Sequence, residues 1–344
     1  MTNSEVADLR IPRPLWQHPC PKTTRTHEFK THIEQKYQLS FAGYEALRQW
    51  SIDNLNSFWE EVWSFTGVGF SQPFKKVSFK HRHIGSAVWV LTSSALSRHL
   101  TKRLLYGRVL VVSRKARLNY AQNLLYPSAN PAQDSLAIID ANENTTNYVT
   151  WGELRERVRQ CSHSLREKGL QRGDRVAGYV ANHSNALVAS LAALTIGAIW
   201  TAISPDTGVS AVLDRLQQIE PIVLFADNAV IYSGKVHQVI DKVEKIAACL
   251  PQLKQCVVFE TVTSEELSVS NIIFPNGKAV WYFQFVQGVA ENVNILFAQL
   301  PADHPVYILY SSGTTGYDIS SYTYAHVYSV MAFSVMHLLK PVPL

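Results

Sequence analysis

Nineteen consecutive residues without a charge, ALVASLAALTIGAIWTAIS at 186–204, constrain the fold more than any other feature of the chain. A run of that length must either cross a bilayer or be buried on every side. It is rich in Ala, Ser and Thr, is interrupted by Gly197, and turns β-branched and aromatic after that glycine. This order predicts a buried helix, a glycine cap and a buried strand, and it reads as a soluble protein rather than a membrane span.

The flanking sequence repeats the same alternation. Thr150-Trp151-Gly152-Glu153 matches a capping box, in which a threonine hydroxyl and a glutamate each satisfy an amide of the first turn. Leu154, Val158, Cys161 and Leu165 then form one apolar stripe, and Gly169 closes the helix. Strands are expected at 175–180, 198–203, 222–225 and 256–259. Helices are expected between them at 185–196, at 209–219 with Asp206 as N-cap, and at 235–248. Strand–helix alternation of this kind predicts an α/β fold with a mostly parallel sheet covered on both faces. Before it, Leu47, Trp50, Leu55, Phe58, Trp59, Val62 and Trp63 recur at three- and four-residue spacings, as in one or two amphipathic helices.

Charge narrows the partners. The chain of 344 residues carries a net charge of +5, which invites a nucleic acid or an anionic surface as partner. Eleven Lys and Arg, and no acid, lie within 75–117, so the remainder stands at −6. A nucleic-acid reading rests on that stretch alone, which lacks aromatic interleaving or a recognisable motif, and neither nucleic acid nor membrane is the expected partner. Cys20, Cys161, Cys249 and Cys256 have no ligand spacing and read as reduced, mostly buried thiols. The N-terminus has no apolar core of secretory type, and a cytoplasmic setting is expected.

The chemistry is concentrated near the end. Residues 306–310, VYILY, form an apolar strand, and Ser311, Ser312, Gly313, Thr314, Thr315 and Gly316 follow directly. Glycines let the backbone approach a ligand, exposed amides form an anion-binding concavity, and hydroxyls add donors for phosphate oxygens. The Gly-Lys-Ser/Thr that closes a Walker A loop is missing, since Gly316 is followed by Tyr317. Beyond the carboxyl end of a parallel strand is where such sheets bind ligands.

YSSGTTG resembles the phosphate-loop signature of the adenylate-forming superfamily of acyl-CoA synthetases and luciferases. ARLNYAQNLL at 116–125 and YEALRQWSIDNLNSFWEEVWSFTGV at 44–68 resemble the acetyl-CoA synthetase group. Residues 173–237, with IWTAISPDTG in place of a glycine-rich stretch, are most similar to its acetoacetyl-CoA synthetase branch. The resemblance implies ATP-dependent activation of acetoacetate or another short acid to an acyl-adenylate, followed by thioester formation with coenzyme A. It implies ATP, Mg2+ and coenzyme A as ligands, with residues 311–316 around the β- and γ-phosphates. The Thr314 and Thr315 hydroxyls would meet phosphate and magnesium. Tyr232-Ser233-Gly234-Lys235 falls where the group places a basic turn against coenzyme A, which makes Lys235 a candidate for a coenzyme A phosphate. A solvated lysine at a helix N-terminus is the alternative.

Two stretches depart from the family. The usual Gly-x-Pro-Lys gives way to YDISSYTYAH after Gly316, and VVSRK precedes Ala116-Arg117-Leu118-Asn119 where a Trp-Phe pair is expected. The division that follows is a helical region at 1–74, an atypical basic insertion at 75–114, an incomplete AMP-dependent ligase domain at 115–316 and an atypical tail at 317–344. Translated intron accounts for both atypical stretches equally well: Lys76-Val77-Ser78 can be encoded AAG-GTA-AGT and Gly316-Tyr317-Asp318 GGG-TAT-GAT, each permitting a splice donor. On this reading the chain as written is a truncated enzyme lacking the C-terminal subdomain with its catalytic lysine, and is not expected to turn over. A non-catalytic protein that binds nucleotide or a partner is the alternative.

Overall fold

The computed structural model describes residues 18–73, 77–83, 106–112, 116–263, 269–301, 304–310 and 320–323. Six strands of its central sheet run parallel, in the spatial order Val280–Trp281, Gln255–Phe259, Val223–Asp227, Arg175–Tyr179, Ile199–Ile203, Tyr307–Tyr310. Ser320–Thr323 adds an antiparallel seventh strand. Strands 199–203, 223–227 and 255–259 are almost wholly buried, as parallel strands covered on both faces must be.

Helices cover the two faces. Trp151–Glu167 and Ser184–Ile196 pack on one side around Leu154, Val158, Leu165, Val188 and Phe225. Val209–Ile219 and Ile240–Ala248 pack on the other around Val212, Leu216, Val243, Ile246 and Leu224. The uncharged run resolves as expected into the buried helix Ser184–Ile196, Gly197 at φ 85°, and the strand Ile199–Ile203. No helix among the described residues is long and apolar enough to cross a membrane. The capping box is present: Thr150 Oγ1 accepts from the Glu153 amide at 3.2 Å, and Glu153 Oε2 accepts from the Thr150 amide at 2.7 Å.

Several expectations need correction. Lys235 does not begin a helix. The chain after Asp227 forms a hairpin, Ala229–Tyr232 against Lys235–Gln238, and the helix starts at Ile240. The reason is the Ser233-Gly234 pair, at φ 50° and 68°, a left-handed two-residue turn that matches the twist of two strands. Asp206 is exposed and does not cap Val209–Ile219, whose N-cap is Gly208 with no side-chain bond. Of the four thiols only Cys161 and Cys256 are buried, while Cys20 and Cys249 are exposed.

Three N-terminal helices, Arg25–Tyr37, Tyr44–Asp53 and Leu55–Thr66, enclose Phe29, Ile33 and Val62 among aromatic rings. The first lies within the helical region expected at 1–74 but has no stripe of its own to place it, because its polar sequence offers only Phe29, Ile33 and Tyr37 to the core. Buried Glu61 ties it to the third helix, accepting from Lys36 Nζ at 2.6 Å, His32 Nε2 at 2.8 Å and the Tyr37 hydroxyl at 2.9 Å. Within 75–114, Val77–His83 pairs antiparallel with Tyr106–Val112. The chain leaves for that stretch and returns from it at one point, since the Arg117 amide donates to Gln72 O at 2.9 Å and Ser71 N donates to Arg117 O at 2.9 Å.

Candidate functional site

The carboxyl edge of the sheet is shaped by where each strand sends the chain. The helix after Tyr179 lies on one face, whereas those reached from Ile203 and Asp227 lie on the other. Diverging exits from neighbouring strands open a crevice at their ends. Asp227, fully buried, spans it: one carboxylate oxygen accepts from the Ala181 amide at 2.7 Å and the other from His183 Nε2 at 2.8 Å. His183 Nδ1 accepts from the Ala186 amide at 3.2 Å, capping the helix Ser184–Ile196. Nδ1 thus faces a donor and Nε2 faces a carboxylate acceptor, so each ring nitrogen has a partner. With both nitrogens engaged, and its ring edge-on to Phe259 at 5.5 Å, His183 is held in place at the ends of the strands.

The segment after Ile203 is fastened by main-chain carbonyls. Tyr179 donates its hydroxyl to Pro205 O at 2.8 Å and Thr207 O at 2.7 Å, and Lys242 Nζ reaches Pro205 O at 3.0 Å. Burial, with a contribution from the charge of Asp206, pushes the Tyr179 phenol up to about 12, so it remains a donor at neutral pH.

Tyr307–Tyr310 is fixed from the neighbouring strand and from the helix Val209–Ile219. Trp200 N donates to Val306 O at 3.0 Å, Thr201 Oγ1 donates to Ile308 O at 3.0 Å, and the Tyr310 hydroxyl donates to Arg215 O at 2.8 Å. The strand therefore runs parallel beside Ile199–Ile203 and delivers the chain to the carboxyl edge at Tyr310. Ser311, Ser312, Gly313, Thr314, Thr315 and Gly316 themselves lie outside the described residues.

Lys235 is exposed, across the hairpin from Tyr232. The amides of Ser233 and Gly234 both donate to the carboxylate of Glu143, at 2.7 Å each. Neither the Asp227–His183 pair nor Glu143 is marked by local sequence: the partners are 44 and about 90 residues apart. A separate polar cleft of about 470 Å3 lies between the hairpin 136–150 and the helices, lined by Asp140, Tyr148, Glu153, Glu156, Arg157 and Asn185 among others. Its groups are engaged with one another: Asp140 accepts from Ser184 N, Arg157 donates to Asn185 Oδ1, and Glu156 pairs with Arg159. Among the described residues no group of three or more His, Cys, Asp or Glu could hold a metal ion.

Comparison with known proteins gives this geometry its context. Residues 126–317 match the family described as AMP-binding enzyme. The chain is 41% identical over 318 residues to malonamoyl-CoA synthetase vrtB of Penicillium aethiopicum, covering 90% of this chain and 41% of that protein. It is 35% identical to acetoacetyl-CoA synthetase of Danio rerio, covering 92% of this chain and 43% of that protein. The solved acetoacetyl-CoA synthetase from Streptomyces lividans superposes with a TM-score of 0.72 at 31% identity, over 90% of this chain and 43% of that one. The chain thus spans about two fifths of the length of these relatives.

Proposed function

The chain belongs to the AMP-binding enzyme family, and on that premise we propose that the protein activates a short acid bearing a carbonyl β to its carboxylate. The observation that carries the substrate class is the pair of relatives, one named for acetoacetyl-CoA and one for malonamoyl-CoA. The two acyl groups are near-isosteres that differ by a methyl against an amino group on the same β-carbonyl carbon. Acetoacetate and malonamate are therefore the acids to test.

The reaction has two steps. A carboxylate oxygen attacks the α-phosphorus of ATP, the bond to the bridging oxygen breaks, and pyrophosphate leaves. The coenzyme A thiolate then attacks the acyl carbon and AMP leaves. Both steps need charge on phosphate oxygens to be met by fixed donors. In this reading the amides and hydroxyls of Ser311, Ser312, Gly313, Thr314, Thr315 and Gly316 surround the β- and γ-phosphates. Supporting it is the placement of Tyr307–Tyr310, held by Trp200, Thr201 and Arg215 with its end at the carboxyl edge of the sheet. A magnesium ion bound with the triphosphate would screen its charge, and the hydroxyls of Thr314 and Thr315 are the groups assigned to face it. Lys235, exposed beside the Ser233-Gly234 turn, is assigned to a coenzyme A phosphate. The division of the chain at 74, 114 and 316 belongs to the same proposal, supported by the pairing of Gln72 with Arg117 at the two ends of the basic stretch.

Calorimetric titration with ATP–magnesium tests the phosphate loop directly. Thr314→Ala and Thr315→Ala should each weaken binding roughly tenfold, the worth of one or two hydrogen bonds to charged oxygens. Unchanged affinity in both variants, with unaltered circular dichroism, would remove the assignment. Release of AMP on addition of either acid and coenzyme A tests the chemistry; the chain as written is not expected to show it, and its appearance would overturn that expectation while supporting the ligase reading. Binding without release would leave the nucleotide-binding reading.

A further inference from the structure

Two β-hairpins meet tip to tip. The loop between Leu136–Ala141 and Thr146–Thr150 carries Glu143, and the turn between Ala229–Tyr232 and Lys235–Gln238 is Ser233-Gly234. Oε1 of Glu143 accepts from the Ser233 amide and Oε2 from the Gly234 amide, both at 2.7 Å. Its loop is braced to present it, since Asn142 Oδ1 accepts from the amides of Asn144 and Thr145 at 2.8 Å.

Two successive amides converging on one point form an anion-binding concavity. Ser233 holds φ 50°, a left-handed conformation uncommon for a serine, and this is what turns its amide toward the same point as that of Gly234. The hydrogen bonds from Gly234 and Ser233 hold the Glu143 carboxyl below its ordinary value, so it is an anion in this position. Tyr232 and Lys235 are directly paired across the turn and therefore share one face of the hairpin. Tyr232 is 69% exposed and Lys235 is exposed. Anion-binding amides, a cation and an uncovered aromatic ring thus gather at one hairpin tip. This is the set of groups that recognises a phosphorylated adenosine, with phosphate on the amides and lysine and the purine against the ring.

We propose that Glu143 is a built-in competitor for that site: its carboxylate occupies the Ser233 and Gly234 amides and must be displaced before a ligand phosphate can take them. The inference rests on the reading that this turn meets coenzyme A, and it adds a device that sets the apparent affinity for the coenzyme. Displacement is reversible, because the carboxylate lies in solvent and is rehydrated when it leaves. Carboxylate and phosphate are both anions, so they repel at this short range and compete for the two amides.

Adenosine 3′,5′-bisphosphate, titrated calorimetrically into the full chain, is the probe. Glu143→Gln and Glu143→Ala should each tighten its binding by roughly threefold to tenfold, while Lys235→Ala weakens it by a similar factor. A glutamate that merely braced the two hairpins would give the opposite sign, since loosening the turn weakens the site. Affinity unchanged or lowered in both Glu143 variants overturns the competitor. If Lys235→Ala still weakens binding in that case, the coenzyme reading of the turn survives alone. Failure of the wild type and every variant to bind the probe overturns both.

Discussion

Asn119 is a fully buried polar side chain whose removal has a calculable cost. Its Nδ2 donates to Leu194 O at 3.0 Å, Thr195 O at 3.2 Å and Ala298 O at 2.9 Å, and its Oδ1 accepts from the Gln122 amide at 3.1 Å. It therefore caps the helix Tyr120–Leu125, closes the carboxyl end of Ser184–Ile196 and joins both to residue 298. An amide group has two hydrogens, so the three carbonyls share about two full bonds' worth of donation. Leu194 O and Thr195 O keep other donors, the amides of Gly197 and Ala298, and lose only part of their satisfaction. For Asn119→Ala, about 1 kcal/mol for the cap and about 1 kcal/mol for each of two bonds, with a further ~1 kcal/mol for stranding Ala298 O, gives about 4 kcal/mol. Against a total of about 5–15 kcal/mol for a typical domain, that is a severe loss. Asn119→Asp keeps the cap acceptor yet sets a carboxylate against three carbonyl oxygens, so it should be no less damaging at neutral pH. Urea unfolding followed by tryptophan fluorescence reads the midpoint of both variants. A loss below about 1 kcal/mol in the alanine variant, or an aspartate variant as stable as wild type, would mean that Asn119 does not hold these three segments together.

Two further outcomes follow from buried ionisable groups. Burial pushes the Cys161 and Cys256 thiols up to about 12, so iodoacetamide on the native protein at pH 8 should label Cys20 and Cys249 and spare the other two, as read by peptide mass spectrometry. The Glu61 carboxyl is raised by burial but lowered more by its bonds to Lys36, His32 and Tyr37, and lies below its ordinary 4.5. The stabilisation is thus complete above that pH and is lost as pH falls through the lower folded value; melting between pH 7 and 3 should steepen below about 4.5 in wild type and flatten in Glu61→Gln. An equal slope in both proteins would mean that Glu61 does not link the first and third helices.

What local sequence revealed, and what it hid, divides along a physical line. The strands and helices between Thr150 and Phe259 were legible because burial on both faces writes itself as uncharged runs and apolar stripes. The capping box was legible because its two bonds span three residues. The hairpin at Lys235 was not, since Ser-Gly is a weaker turn signal than Asn-Gly and the following residues suit a helix equally well. The helix Arg25–Tyr37 was hidden because only three of its residues face the core. The hydroxyl- and glycine-rich composition of residues 311–316, on which the proposed phosphate site rests, stands in the sequence itself, whereas the Asp227–His183 bond and the Glu143 contact depend on residues brought together only by folding.

The segment from Pro205 to Arg215 is gripped from two sides, by Tyr179 and Lys242 at Pro205 and Thr207 and by Tyr310 at Arg215, and every one of those bonds ends on a carbonyl oxygen. Carbonyls are the same in all twenty amino acids. The clasp is therefore indifferent to which side chains the segment displays, and evolution can rewrite Asp206 or Thr207 without shifting the path of the chain. A rim of the crevice that keeps its course while its chemistry changes is a ready place for members of the AMP-binding enzyme family to diverge.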